Sequence, residues 1–140
     1  MRSITLILLC LSLSLVAGCT HNEKLPPQQP ADLVKISTLA GFPELPLKEI
    51  REKEQIEKLV SFVNALPNRW NVPWYGPPVG QVNFEFYADK KFVGNFYVGT
   101  FFFGRDRGNF WSQNANKAQI EELRKIVGLD IWAYLNEKKP

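Results

Sequence analysis

The clearest pattern in the chain is a strict alternation from Gln81 to Ala88. Val82, Phe84, Phe86 and Ala88 fall on one side, and Asn83, Glu85 and Tyr87 on the other. Period-two alternation marks a strand with one buried face. Asp89-Lys90-Lys91 is a short polar turn and Phe92 to Val98 a returning partner, so a hairpin is expected here. Leu33 to Leu39 is rich in β-branched residues, puts Val34, Ile36 and Thr38 on one face, and reads as another strand. Gly41, Pro43 and Pro46 then predict a turn region. From Glu52 to Leu66 the period changes: Ile56, Leu59, Val60, Val63 and Leu66 recur at helical spacing, Glu54 and Lys58 form an i,i+4 pair, and Pro67 stops the helix.

The remaining patterns complete the expected fold. Thr100 to Phe103 and Asn109 to Ser112 predict a second hairpin, closed by Gly104-Arg105-Asp106-Arg107-Gly108. Asn116 with Gln119 three residues on forms a capping box for a helix ending at Gly128, with Ile120, Leu123, Ile126 and Val127 on its core face. Asp130 opens a last short helix carrying Ile131, Trp132 and Leu135. Strands contiguous in sequence, with helices before and after them, give an α+β domain: an antiparallel sheet of about four to five strands with helices packed on one face.

The amino terminus has a different character. Met1-Arg2 precedes an uncharged, mostly apolar run from Ile4 to Ala17, and small residues lead up to Cys19. This has the form of a secretory leader. Its apolar run of about 14 residues, interrupted by Ser12 and Ser14, is shorter than the roughly 20 that span a bilayer. Val16-Ala17-Gly18-Cys19 resembles the lipobox of bacterial lipoproteins. The resemblance covers the leader alone and implies cleavage before Cys19, a lipid on its thiol and acylation, such as palmitate, of the new amino terminus. Val16, Ala17 and Gly18 would be the residues read by the signal peptidase. An ordinary signal peptide cut at the same bond is the competing reading. Cysteine arithmetic favours the lipid: the chain has 2 cysteines, Cys10 leaves with the leader, and lipidation disposes of the one odd thiol in an oxidising compartment. In Gram-negative lipoproteins an aspartate after the cysteine favours inner-membrane retention. Thr20 stands there instead, so in a Gram-negative cell the periplasmic face of the outer membrane is expected.

Thr20 to Asp32, THNEKLPPQQPAD, is polar and carries Pro26, Pro27 and Pro30. Such a segment reads as a semi-rigid tether that, at about 3.1 Å per residue, reaches roughly 40 Å. The expected organisation is a leader over 1–18, the lipidated cysteine and tether over 19–32, and one globular domain over 33–140. Loss of Arg2 with the leader lowers the formal charge from +3 to about +2, which gives no electrostatic footprint for nucleic acid.

Candidate chemistry is sparse. The only histidine, His21, lies in the tether, so the domain has no imidazole base for Ser-His-Asp or Cys-His catalysis and no histidine or cysteine for a zinc site. Gly99 to Gly104 has the outer spacing of a phosphate loop, but Arg105-Asp106 follows where Lys-Ser/Thr is required. No cofactor and no metal is expected. Glu85 is a candidate acid for a carboxylate-based hydrolase, with Asp89 or Asp106 as the second carboxylate within about 5–10 Å. Its alternation with Asn83 favours a plain solvent-facing strand residue.

Aromatics are concentrated: of Phe 10, Trp 4 and Tyr 4, 14 lie between Trp70 and Trp111. Many belong in the core of a small sheet. The loop Asn68 to Pro78 holds Trp70, Trp74 and Tyr75 among three prolines, and is read either as a lid over the sheet or as a stiff partner-binding surface for a protein or cell-wall glycan. Arg105 and Arg107, at the expected hairpin tip, are candidates to grip an anionic group, or else keep the tip soluble. The functional expectation is a lipid-anchored envelope protein with a non-catalytic binding or structural module. A periplasmic inhibitor or immunity-type protein, acting through the hairpin around Arg105, is the alternative.

Overall fold

The computed structural model describes residues 22–38, 44–73, 81–106 and 108–135. The elements follow in the order β1 (Leu33–Thr38), β2 (Leu45–Ile50), α1 (Lys53–Ala65), β3 (Val82–Ala88), β4 (Lys91–Val98), β5 (Phe102–Asp106), β6 (Phe110–Asn114) and α2 (Lys117–Val127), then a 3₁₀ turn at Ile131–Tyr134. They build one antiparallel sheet of six strands in the order β2-β1-β3-β4-β5-β6. The alternation of β3 decides which face is covered. Val82, Phe84 and Phe86 are fully buried, and with Val34, Ile36, Phe96, Val98 and Phe103 they pave the face on which α1 and α2 lie. Phe96 is the centre of this layer: its ring meets Phe62 of α1 edge-on at 6.4 Å, Phe84 at 6.0 Å and Phe103 at 5.1 Å.

The α+β class is as expected, with six strands instead of four to five. The additional strand is β2. Pro46 suggested a turn, but β2 is an edge strand, and the register against β1 shifts between Ile36 and Ser37 so that Ser37 pairs with Pro46. Edges and bulges are the places where a sheet tolerates a residue without an N–H. Gly41 and Pro43 lie outside the described residues. The second hairpin also differs from expectation, because Gly104, Arg105 and Asp106 belong to β5 instead of the turn.

Helix α2 forms as its sequence requires. Asn116 Oδ1 accepts from the Gln119 backbone N–H, the Gln119 side chain accepts from the Asn116 N–H, and Gly128 ends the helix with φ at 61°. On its surface Glu121 accepts two bonds from Arg124, at 2.8 and 2.7 Å, and one from Trp132 Nε1 at 3.2 Å. These donors, Arg124 first, hold the Glu121 carboxyl down at about 2 against its ordinary 4.5. A depressed folded-state value stabilises above the ordinary one and stops doing so as pH falls through the folded value. Glu121→Gln should therefore unfold more readily than the parent at pH 7, with the difference closing between pH 4.5 and about 2. Denaturant titrations across that range measure it, and a difference that persists at the acid end would attribute the loss to packing.

The proline-rich segment is not a free spacer from Glu23 onward. Glu23 and Trp70 exchange backbone hydrogen bonds at 2.9 and 3.0 Å. Asn68 clasps Leu25 through both its N–H and its carbonyl, at 2.9 and 3.1 Å, and Asn64 does the same for Gln28, at 2.7 and 3.2 Å. Leu25 and Gln28 are buried. At Gly94, where φ is 151°, a Cβ would come within 2.8 Å of the Gln28 side chain, so glycine makes room for the strap. The 40 Å reach expected for the tether does not apply to residues 23–32.

Candidate functional site

Two groupings of side chains matter, and the first joins two residues that the sequence offered as separate binding candidates. Trp70 and Arg105 do come together: the guanidinium carbon lies 5.8 Å from the Trp70 ring centroid. Both are buried, at 2% and 3% exposure, so neither is presented to a partner. Alternation along β5 places Arg105 on the same side as Phe103, and its Nη1 donates to the Pro26 carbonyl at 2.9 Å. The pair is an internal clamp on the strap. Trp70 is thus the lid component of its loop, held in an extended ribbon because Asn71 exchanges backbone bonds with Ser112 at 2.9 and 2.8 Å while Trp70 pairs with Glu23 on the other side. Trp74, Tyr75, Arg107, His21, Cys19 and the Val16-Ala17-Gly18 triplet lie outside the described residues.

The second grouping is the face of the sheet that no described helix covers. Strand register lines its side chains into rows. Lys35 opposes Glu85, which opposes Asn95; one step along, Ser37 opposes Asn83, then Tyr97, Gly104 and Ser112. The rows are cross-linked. Tyr87 donates to Glu85 Oε2 at 2.7 Å, the Lys35 ammonium sits 5.1 Å from the Tyr87 ring, and Asn95 donates to Tyr97 Oη at 2.6 Å. The Phe110 ring lies over Gly104, where a Cβ would approach it to 2.5 Å, and stacks obliquely with Tyr97 at 5.5 Å. At the β1–β2 end the face opens into a cleft of about 470 Å³ lined by Lys35, Ser37, Glu44, Leu47, Glu49 and Glu85. The Ser37 hydroxyl donates to Glu44 there.

Charge shapes the behaviour of this face. The hydrogen bond to the Glu85 carboxylate, and then burial, hold the Tyr87 phenol above its ordinary value. Burial, followed by the carboxylates of Asp106, Glu85 and Glu44, does the same for Tyr97, against the opposing bond from Asn95. Both phenols stay protonated near neutral pH, so the face offers hydroxyl donors, carboxylate acceptors and aromatic edges together.

Glu85 shares the face with Asp106, as a two-carboxylate hydrolase needs, but two strands apart, on the order of 10 Å. The Asp106 carboxylate accepts from the Gly108 N–H at 3.1 Å, and Asp89 sits in the β3–β4 turn with positive φ. No group of three His, Cys, Asp or Glu among the described residues is arranged to hold a metal ion.

Sequence reasoning singled out Glu85 but not its neighbours Lys35, Ser37, Asn95 and Tyr97. The signal was present in the second alternation, Asn95 and Tyr97 against Phe96 and Val98. No protein-family model, curated protein or solved structure matches this chain.

Proposed function

We propose that this chain is a lipid-anchored bacterial envelope protein, held through Cys19 on the periplasmic face of the outer membrane, whose folded domain works by binding. Its partner, a protein or a cell-wall glycan, is received on the open sheet face around Lys35, Glu85 and Tyr97. The observation that carries the binding reading is that face itself: aromatic and hydrogen-bonding side chains from successive strands that no described helix covers, on a sheet whose other face is packed by α1 and α2. A solvated antiparallel face needs polar residues, but a cleft beside two protonated phenols goes beyond what solvation alone demands. The lipobox-like leader supports the anchor, and two or more acyl chains would hold the protein stably where one would not. The inhibitor reading needed a protruding hairpin at Arg105, and with Arg105 buried it is not the one we adopt.

Cys19→Ser should move the protein from the membrane fraction to the soluble periplasmic fraction, and unchanged membrane retention would count against the anchor. A photoreactive residue placed at Tyr97 should crosslink one defined partner in intact cells, where the same residue at the exposed Lys125 of α2 should not. Equal or absent capture at both positions would refute the binding face.

A further inference from the structure

The docked strap fixes more than its own path: it dictates which edge of the domain meets the membrane. This inference rests on the lipid at Cys19. The chain is pinned to the domain at Glu23, whose backbone pairs with Trp70. From Cys19 to Glu23 an extended chain covers at most about 14 Å. Glu23 therefore lies within that distance of Cys19, and the paired segment 69–72 one strand spacing further, within about 20 Å. The ribbon also extends the sheet beyond β6, through Asn71 and Ser112, so it stands at the opposite edge from β2. From β6 to β2 the sheet measures on the order of 24 Å across its strands.

The surface of that ribbon suits a phospholipid leaflet. Lys24 follows Glu23 and Arg69 precedes Trp70, so the antiparallel Glu23–Trp70 bridge brings these two residues to the same end of the ribbon. Both are exposed, and among the described residues neither is tied into an ion pair. Val72, two positions beyond Trp70, is 53% exposed. Two exposed cations at one end of the ribbon and an exposed apolar residue three positions along from Arg69, held within a short chain length of an acyl anchor, match the headgroup zone of a membrane containing anionic lipid. We propose that the edge carrying Lys24, Arg69 and Val72 lies on the anionic headgroups of the leaflet that holds the lipid, and that the domain stands edge-on. The β2 edge, with the cleft at Lys35 and Glu85, then points away from the membrane toward its partner.

The test uses the lipidated full-length protein in vesicles of phosphatidylethanolamine and phosphatidylglycerol containing headgroup spin-labelled lipid. A fluorophore is attached at Val72→Cys or, in a second variant, at Leu45→Cys on the β2 edge; both positions are exposed. Strong quenching at position 72 and none at 45 is the expected result. Equal quenching at the two, or stronger quenching at 45, overturns the orientation. The combined Lys24→Glu and Arg69→Glu variant, and vesicles of phosphatidylcholine alone, should each lose most of the quenching at 72. If neither does, the headgroup contact is refuted. Dye incorporated at Cys19 itself, with the protein floating free of vesicles, would instead refute lipidation and the orientation with it, and this is read independently of the quenching.

Discussion

Trp70→Ala should destabilise the domain by about 3–5 kcal/mol, the range for emptying a buried aromatic site. The effect goes beyond one ring. Trp70 is buried against the Arg105 guanidinium, and its backbone joins the strap to the ribbon on β6. Without the ring, Arg105 keeps its bond to Pro26 but loses the aromatic surface that shields it, and a buried cation without its packing is costly. Urea titration followed by tryptophan fluorescence measures the loss. Limited proteolysis should then cut first within residues 23–30, because the strap depends on the clamp. A change below about 1 kcal/mol would mean that Trp70 is a surface residue, and would return it to the list of candidate binding groups.

Phe96→Ala is expected to cost a similar amount, about 3–5 kcal/mol, for a different reason. Phe96 is fully buried and touches rings from α1, β3 and β5, so its removal opens a void where helix and sheet meet. Edge-to-face pairs contribute about 0.5–1.5 kcal/mol beyond area burial, and Phe96 takes part in more than one. Phe96→Leu, which refills most of the volume, should recover much of the loss. Thermal and denaturant unfolding of the two variants checks this, and near-parental stability of Phe96→Ala would show that the helix layer is not seated on this ring.

These two residues differ in how legible they were. Phe96 was readable from alternation, because a strand with one buried face makes every second side chain core and no distant information is needed. Trp70 was not. Its loop has no period, and rigid prolines around a tryptophan suit an exposed platform as well as a lid. Arg105 was misplaced for a related reason. Gly104 and Gly108 look like turn residues, yet Gly104 sits in a strand because the Phe110 ring crosses it. The strap was misread because Pro26, Pro27 and Pro30 do favour extended chain. What cannot be seen locally is that Asn64 and Asn68, on and just past α1, would satisfy that chain's backbone groups.

The sequence alone determined the period-two and period-3.6 segments, the capping box, the helix stop at Pro67 and the polar character of the open sheet face. Each depends on residues a few positions apart. Tertiary structure alone decided that β2 completes the edge despite Pro46, that Arg105 turns inward onto Trp70, and that the strap lies on the domain. The last two rest on contacts 43 residues apart between Leu25 and Asn68 and 79 apart between Pro26 and Arg105. Closing such loops has an entropic cost that only the assembled core repays, so no local pattern announces them.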